Sequence, residues 1–238
     1  MGAVGPMVPD AAGAPGARGR RLPRRTVARG TMPGMLRAVF FDLMDTVLRD
    51  PYREALEAGC RLPLAQIAPL RACDVWPAFE RGEIDEAAFA AGFYAEHVAG
   101  RRFDLAAFNR VRRSGYRFLP GMQELLVELD GLVERWAASN YPIWIEELQA
   151  RFRFSQLFEG VVASHHLGVR KPDAAFFDRL LERTGHAAGD CLFVDDRAGN
   201  CQAAAARGLH VHHFESAPSL RRALRAAGVD LGAAHRPA

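Results

Sequence analysis

The chain has 238 residues, of which 49% are hydrophobic and 25% charged, and this is typical of a soluble globular protein with one large domain or a core and a smaller insert. No apolar run approaches the ~20 residues of a membrane span, no secretory signal opens the chain, and four cysteines without Cys-x-x-Cys spacing indicate a reduced compartment. The basic excess is confined to residues 1–34, with six arginines and one aspartate, so the slightly acidic remainder gives no electrostatic reason to expect nucleic-acid binding.

Residues 1–34 are rich in Gly, Ala, Pro and Arg and show no apolar periodicity, which predicts a disordered extension. An organelle transit peptide is the alternative, because such peptides are rich in Arg and poor in acidic residues. Transit peptides are also rich in serine, whereas the first serine of this chain is Ser114. We therefore expect a cytoplasmic protein, with a plastid location as the alternative if this segment is a transit peptide.

The first regular element is a short apolar segment at residues 38–41, rich in Val and Phe. Such a run predicts a strand buried on both faces of a parallel sheet. Asp42 follows it directly, and open α/β sheets bind ligands just outside the carboxyl ends of their strands. Asp42 is thus a candidate nucleophile or metal ligand. A turn or helix-cap aspartate is the alternative, and this segment alone does not decide between them.

A helical region follows the break at Asp50-Pro51. Helical spacing of apolar residues with few strand formers is found in five segments, at residues 52–60, 64–70, 74–81, 86–98 and 105–112. These segments predict an α-helical insert over residues 50–116, about the size of a small four-helix cap.

Helical and strand patterns alternate from residue 121 onward. The predicted helices are residues 122–129, 142–152, 173–183, 199–207 and 220–227, and the predicted strands are residues 132–138, 161–163, 191–194 and 209–214. Alternation of this kind predicts βαβ units and a doubly wound parallel sheet. The predicted fold class is therefore α/β, with a Rossmann-like core formed by residues 35–49 and 117–238.

Three of the predicted strands end in polar groups, namely Asp42, Ser139-Asn140 and Asp195-Asp196, and Lys171 precedes a predicted helix. The ends of parallel strands face the same side, so these groups can converge. Carboxylates at two strand ends suit Mg²⁺, which prefers one or two carboxylates together with waters and phosphate oxygens. A hydroxyl and an ammonium can hold the remaining phosphoryl oxygens while Asp42 attacks phosphorus.

Four segments in this order resemble the four motifs of the haloacid dehalogenase (HAD) superfamily: Phe-Phe-Asp-x-x-Asp-Thr, Ser-Asn, Arg-Lys-Pro-Asp and Phe-Val-Asp-Asp-Arg-x-x-Asn. The segments at residues 41–52, 75–82, 113–126 and 139–144 further resemble the plant plastid FMN hydrolases, which dephosphorylate riboflavin 5′-phosphate. The resemblance implies a HAD core with a helical cap. It also implies Mg²⁺-dependent hydrolysis of a small-molecule phosphate ester, FMN in particular.

The resemblance also assigns roles to individual residues. Asp42 is similar to the nucleophile that forms an aspartyl phosphate, and Ser139 to the hydroxyl that binds phosphate. Lys171 matches the lysine that neutralises the charge of nucleophile and phosphate. Asp195 matches the Mg²⁺ ligand, with Asp196 supporting it.

The position two residues after the nucleophile departs from the superfamily pattern. Most phosphatases of the superfamily have an aspartate there as general acid and base, whereas this chain has Met44, followed by Asp45 in the usual Gly position. The backbone carbonyl of Met44 remains a predicted metal ligand. Loss of the acid predicts turnover slower by roughly 10² to 10⁴, although the FMN hydrolases also read Met-Asp-Thr here. We hypothesise that Asp45 is partly catalytic, the alternative being a turn or helix-entry residue.

Asn140, Tyr141 and Trp144 follow the second motif and are predicted substrate-binding residues, the two aromatic rings as a surface on which isoalloxazine stacks. The other aromatic residues of the inserted helices are expected in the packed core. The histidines at residues 165–166 and 210–213 are expected to be exposed or structural, because no carboxylate or thiolate joins them at the spacing of a metal site.

Two other function classes stay open on the sequence. A 2-haloacid dehalogenase also lacks the second aspartate of the first motif, but that reaction uses no metal, so Asp195-Asp196 disfavours it. A non-enzymatic protein that binds a phosphorylated ligand is the other alternative, and Met44 is the feature that favours it. The sequence makes no prediction of the oligomeric state.

Overall fold

The computed structural model describes residues 36–98 and 100–232, and the predicted extension at residues 1–34 lies outside this part of the chain. The described residues form a five-stranded sheet in the order β3-β2-β1-β4-β5, with every neighbouring pair parallel. The strands are β1 (Ala38–Phe41), β2 (Glu134–Ser139), β3 (Gly160–Ala163), β4 (Cys191–Asp195) and β5 (His210–His213). This topology confirms the predicted doubly wound α/β fold.

The central strand β1 is buried over its whole length. Its side chains alternate between two apolar clusters, with Val39 and Phe41 in one and Ala38 and Phe40 in the other, as expected for a strand covered on both faces. Immediately after it, the backbone N–H of Asp42 donates to the carbonyl of Val194 at 2.8 Å. The carboxylate is therefore fixed at the edge where β1 and β4 both end.

Five α-helices lie in the segment predicted as the helical insert: α1 (Tyr52–Cys60), α2 (Leu64–Ile67), α3 (Val75–Glu80), α4 (Glu86–Ala91) and α5 (Leu105–Gly115). The side chain of Asp85 accepts a hydrogen bond from the Ala88 N–H and caps α4. The helix predicted at residues 86–98 ends early, because Gly92 closes α4 and Tyr94 pairs with Arg71 in an isolated antiparallel bridge. Helical spacing alone did not show that tertiary pairing.

Two neighbouring segments connect the inserted helices to the sheet. Leu48 and Phe118 form an antiparallel bridge, and the Arg49 N–H donates to the Arg117 carbonyl at 2.9 Å. The predicted boundaries of the insert, at residues 50 and 116, lie beside this paired crossing. The insert and the sheet share one continuous apolar cluster, so the division of the chain into core and cap domains stays a prediction.

Seven α-helices complete the described part of the fold: α6 (Met122–Glu128), α7 (Ile145–Arg151), α8 (Phe154–Leu157), α9 (Ser164–Leu167), α10 (Ala174–Thr184), α11 (Ala198–Ala206) and α12 (Ala217–Ala226). The four-residue helices α8 and α9 are absent from the sequence prediction, because one turn is too short to show a helical period. None of the described helices combines the length and the apolarity needed to span a membrane.

Candidate active site

The carboxyl ends of three adjacent strands bring the predicted site residues together. Asp42 follows β1, Ser139 ends β2 and Asp195 ends β4, and β1 lies between the other two strands. All three side chains are buried. A fourth residue, Lys171, reaches them from the loop before α10.

The ammonium of Lys171 is the centre of the cluster. Its Nζ donates to Asp42 Oδ1 at 2.8 Å, to Asp195 Oδ2 at 2.6 Å and to the Ala138 carbonyl at 2.9 Å. The side chain is 1% exposed. Burial opposes the charge, but the two carboxylates more than offset it and raise the pKa of Lys171. The lysine therefore stays protonated and holds the nucleophile candidate and Asp195 in fixed positions.

Asp195 has a hydrogen-bond partner on each side-chain oxygen besides the lysine. Its Oδ1 accepts from the Arg197 N–H at 2.9 Å, and Asn200 Nδ2 donates to both oxygens at 3.0 Å. These contacts satisfy a carboxylate that is fully buried. Asn200 is thus a positioning residue of the site, one that the sequence analysis quoted within the fourth motif without assigning it a role.

Asp42, Asp195 and Asp196 form a cluster of carboxylates in the described part of the chain. Each offers an oxygen, and these atoms all lie within 4.8 Å of one another. Burial raises the pKa of Asp42, against the opposing effect of Lys171, and burial with the charge of Asp195 raises the pKa of Asp196. Three carboxylates facing one ammonium leave an excess of negative charge. An oxygen-only donor set with that excess fits a divalent cation such as Mg²⁺.

Ser139 offers an unused hydroxyl at the same edge of the sheet. Its side chain is 1% exposed, and its Oγ makes no hydrogen bond with any described residue. A buried hydroxyl without a partner costs free energy unless a ligand supplies one. The position of Ser139, at the end of the strand next to β1, suits a ligand oxygen bound in front of Asp42.

Asn140 contacts the protein backbone with both ends of its side-chain amide. Its Oδ1 accepts from the Lys171 N–H at 2.7 Å and its Nδ2 donates to the Lys171 carbonyl at 2.8 Å. The residue also borders the cleft in front of Asp42. The sequence predicts substrate binding for Asn140, and the structure adds that this amide fixes the backbone of Lys171.

The two aromatic residues predicted to stack on the substrate lie in the packed interior. Tyr141 is 4% exposed and Trp144 is 3% exposed. Trp144 packs edge-on against Phe79 at 4.9 Å, lies under the Arg112 guanidinium at 4.0 Å and donates to Glu86 at 2.6 Å. Aromatic residues of the inserted helices surround Trp144, and Tyr141 packs against Trp144, so stacking on a substrate stays a prediction for both rings. Neither ring borders the cleft.

The cleft in front of Asp42 is small, with a volume of about 40 Å³. Its lining is strongly polar and comes from the strand-end loops, from α3 and from the segment before α1: Asp42, Met44, Asp45, Asp50, Glu80, Asn140, Lys171, Asp196, Arg197 and Asn200. Its volume corresponds to about three waters. The cleft therefore accommodates a phosphate-sized group and little more.

Asp45 has a structural role that explains its unusual position. Its φ is 55°, in the left-handed region that favours glycine and tolerates aspartate. Its Oδ1 accepts a hydrogen bond from the Asp50 N–H at 3.0 Å. The turn-residue interpretation therefore has direct support, while the catalytic hypothesis for Asp45 stays a prediction. Met44, the predicted carbonyl ligand, borders the same cleft.

Four residues near the cleft escaped the sequence analysis besides Asn200. Asp50 appeared there only as a helix break before proline, although an acid so close to the first motif was a usable signal. Glu80 gave no local signal, because only the tertiary fold brings it to the cleft, whereas Arg197 follows Asp196 within the fourth motif and was given no role. Thr46 Oγ1 accepts from the Asp196 N–H at 3.1 Å and thereby links the first and fourth motifs.

Three of the histidines make contacts that suit surface or structural roles, whereas His165 Nδ1 and His212 Nε2 are buried without a hydrogen-bond partner among the described residues. His210 contacts the Gly189 carbonyl at 3.0 Å, His213 the Asp196 carbonyl at 2.8 Å and His166 the carboxylate of Glu146 at 2.9 Å. No histidine belongs to the carboxylate cluster found among the described residues.

A protein-family model described as haloacid dehalogenase-like hydrolase matches residues 36–208. The matched region contains all three strand ends of the site, Lys171 and the inserted helices. The match therefore spans both the sheet and the segment that covers the cleft.

Individual proteins are similar to this chain over much of its length. A flavin mononucleotide hydrolase of the Arabidopsis thaliana chloroplast is 36% identical over 194 residues, which cover 81% of this chain and 78% of that protein. A sesquiterpene phosphatase of Aspergillus oryzae is 31% identical over 140 residues, 57% of this chain and 70% of that protein. A solved HAD family enzyme of Bacteroides thetaiotaomicron, in complex with magnesium and inorganic phosphate, has a TM-score of 0.65 at 18% identity, covering 76% of this chain and 96% of that one. This last likeness concerns the fold alone.

Proposed function

The chain belongs to the family of haloacid dehalogenase-like hydrolases, and from this premise we propose that it is a Mg²⁺-dependent phosphomonoesterase that acts through an aspartyl phosphate on Asp42, with FMN as substrate. The observation that carries the proposal is the position of Lys171 Nζ, shared between Asp42 and Asp195 beside the unpaired hydroxyl of Ser139. That arrangement places a nucleophile, a fixed positive charge and an unpaired hydroxyl group together at the carboxyl ends of neighbouring strands.

The proposed reaction has two displacements at phosphorus. In the first, an oxygen of Asp42 bonds to phosphorus as the bond to the ester oxygen breaks, and the departing alcohol takes up a proton. In the second, a water oxygen bonds to phosphorus, the bond to Asp42 breaks and the water loses a proton. Lys171 offsets the charge of the phosphoryl oxygens and Ser139 donates a hydrogen bond to one of them.

The cation has a defined place in this proposal. Asp42, Asp195 and Asp196 would hold it together with the Met44 carbonyl, as the donor set of the cluster fits. Bound Mg²⁺ supplies positive charge that neutralises phosphoryl oxygens. The same cluster disfavours a 2-haloacid dehalogenase, because displacement of a halide places no phosphoryl charge beside these carboxylates.

FMN is proposed as the substrate on the strength of the similarity to the Arabidopsis flavin mononucleotide hydrolase. The cleft of about 40 Å³ admits the phosphate but not an isoalloxazine ring. FMN binding then needs the inserted helices to move away from the strand ends, or the ring to lie outside the cleft. If Tyr141 and Trp144 stack on the ring, their burial also requires the inserted helices to move.

Localisation follows the same comparison. The Arabidopsis relative is named as chloroplastic, and a transit peptide within residues 1–34 is the corresponding proposal, beside the cytoplasmic location expected from the composition. Sequencing the amino terminus of the mature protein from its native cell distinguishes the two.

Phosphate release from FMN by the purified protein tests the proposed function. We expect release in Mg²⁺, loss of release in EDTA and recovery when Mg²⁺ is restored. The Asp42→Asn variant should be inactive while keeping the wild-type melting behaviour. A panel of other phosphate esters, including sugar phosphates and prenyl phosphates, ranks FMN against other substrates.

Three results would contradict parts of this proposal. Equal activity with and without Mg²⁺ argues against the metal, and higher kcat/KM for another ester argues against FMN. Tight FMN binding without phosphate release over hours argues for a binding protein, the role that Met44 favours.

A further inference from the structure

The site lacks an obvious source for the proton that the departing alcohol needs. An alkyl ester such as FMN releases a strongly basic alkoxide, so a general acid speeds its departure by roughly 10² to 10⁴. Met44 carries no exchangeable proton. The donor, if one exists, must be another side chain that borders the cleft.

Three carboxyl groups besides the metal-site cluster border this cleft, on Asp45, Asp50 and Glu80. The Glu80 carboxylate is already paired with a cation, its Oε2 lying 2.8 Å from Arg170 Nε, although burial raises the pKa of Glu80 against the opposing charge of Arg170. Asp45 is exposed and its Oδ1 already accepts the Asp50 N–H. Glu80 is therefore engaged in an ion pair, and Asp45 lies exposed to solvent.

Asp50 differs from Asp45 in being half-buried, and from Glu80 in having no ion-pair partner among the described residues. Its Oδ1 accepts the Tyr52 N–H at 3.0 Å, which orients the group and leaves Oδ2 without a hydrogen-bond partner among the described residues. No basic side chain of the described residues forms an ion pair with it. Burial, together with the charges of Asp45 and Asp196, raises the pKa of Asp50 to about 6, against the opposing effects of the Tyr52 N–H and Arg197.

The position of Asp50 on the chain also suits the departing alcohol. It lies on the segment that leaves the sheet for the inserted helices, one residue after the backbone pairing of Arg49 with Arg117. The phosphoryl group is held by Lys171 and Ser139 at the strand ends, and the leaving oxygen lies opposite Asp42 in an in-line displacement. The alcohol therefore leaves toward the inserted helices, which is the side where Asp50 enters the cleft.

We propose that Asp50 is the general acid and base of this enzyme, in place of the acid absent at residue 44; the inference rests on the proposed phosphatase function. In the first displacement, the Asp50 carboxyl gives its proton to the ester oxygen as that oxygen leaves phosphorus. In the second displacement, the resulting carboxylate takes a proton from the water that attacks phosphorus. Each turnover thus returns Asp50 to its starting state.

The test compares two esters in three proteins, the wild type, Asp50→Asn and Asp45→Asn. FMN has an alkyl leaving group that needs a proton, whereas 4-nitrophenyl phosphate releases a stable phenolate that does not. Asn at residue 50 keeps the oxygen that accepts the Tyr52 N–H, so the turn should survive. Thermal melting of each variant checks this.

For Asp50→Asn we expect kcat/KM for FMN to fall by roughly 10² to 10³, and kcat/KM for 4-nitrophenyl phosphate to fall by less than about tenfold. Because the second displacement also loses its base, this variant should show a burst of about one nitrophenolate per active site before slow turnover. Asp45→Asn should show no such difference between the esters and no burst.

Equal losses for the two esters in Asp50→Asn, or no loss for either, would overturn the assignment. A selective loss in Asp45→Asn alone would overturn it in favour of Asp45. A wild-type protein that hydrolyses neither ester in Mg²⁺ overturns the phosphatase function itself, and the role of Asp50 with it.

Discussion

Ser139 and Ser164 are two buried serines whose hydroxyl groups differ in a way that separates function from stability. Ser139 Oγ has no partner among the described residues, whereas Ser164 Oγ donates to the Glu80 carbonyl at 2.6 Å and accepts the Tyr141 N–H at 2.9 Å. Removing an unpaired hydroxyl costs little, but removing a paired one leaves buried groups unsatisfied. The unpaired hydroxyl is available to a ligand.

Ser139→Ala should therefore keep the free energy of unfolding within about 0.5 kcal/mol of the wild type while phosphate-ester hydrolysis falls at least tenfold. Ser164→Ala, the matched control, should lose roughly 1–3 kcal/mol of stability. Urea unfolding and phosphate release measure the two effects. Destabilisation by Ser139→Ala would show that its hydroxyl serves the fold.

The raised pKa of Asp50 predicts that the free energy of unfolding depends on pH. A carboxyl whose folded-state pKa lies above the unfolded value binds more protons in the folded protein, so its contribution to stability is present at low pH and is lost as the pH rises through about 6. In EDTA, the melting temperature of the wild type should fall relative to that of Asp50→Asn between pH 5 and pH 8. A difference in melting temperature that is constant with pH would contradict the raised pKa of Asp50. We expect the contribution of Asp50 to the free energy of unfolding to be roughly 1–3 kcal/mol.

Sequence predicts individual site residues well where chemistry fixes their type. Asp42, Ser139, Lys171 and Asp195 were all identified from strand ends and motif order, and the structure joins Lys171 to both carboxylates and places Ser139 at the end of the adjacent strand. Residues whose role depends on a tertiary neighbour were not found. Glu80 reaches the cleft only because α3 packs over it, and no local pattern encodes that approach.

Among the elements, the paired crossing between the sheet and the inserted helices positions Asp50. Gly115, at the end of α5, faces this crossing, and a Cβ at residue 115 would lie 2.3 Å from Pro51 Cβ. Pro51 directly follows Asp50. Any side chain at residue 115 must therefore push the Asp50 segment away.

Gly115→Ala should cost roughly 1–3 kcal/mol of stability and also lower kcat/KM for FMN. Gly189→Ala is the control, because a Cβ there meets nothing within 4 Å, and it should change neither quantity beyond about 0.5 kcal/mol or twofold. Differential scanning calorimetry and steady-state kinetics test both variants. Wild-type kinetics in a destabilised Gly115→Ala protein would contradict the claim that the paired crossing positions Asp50 for catalysis.

Long periodic elements were predictable, and short or paired ones were not. The helices at residues 52–60 and 173–183 were placed within one residue of α1 and α10, since their apolar stripes face the core. The segment after α4 was predicted as helix although Tyr94 pairs with Arg71. There, a contact distant in sequence outweighed the local helical preference.

On the scale of the whole molecule, the excess of negative charge in the site makes folding sensitive to cations. A cation that binds only the folded protein stabilises it by mass action. Mg²⁺ should raise the melting temperature of the wild type at pH 8 as its concentration increases. In Asp196→Asn, which removes one half-buried carboxylate of the cluster, the effect should shrink. An equal rise in both proteins would place Mg²⁺ binding elsewhere.

The overall topology followed from the sequence because buried strands and alternating helices leave few ways to connect a parallel sheet. The way in which the inserted helices border the cleft did not follow from the sequence. The inserted helices pack around Trp144, and the cleft has a volume of about 40 Å³. Tyr141 and Trp144, which the sequence predicts as substrate-binding residues, are buried and do not border that cleft.

The central claim is that Asp42 becomes covalently phosphorylated, and trapping that intermediate tests it most directly. Wild-type protein is mixed with Mg²⁺ and FMN, quenched in acid during turnover and treated with borohydride, which reduces an aspartyl phosphate to homoserine. Peptide mass spectrometry should find homoserine at residue 42 and at no other aspartate. Homoserine at a different residue, or none in a protein that is releasing phosphate, would contradict the account.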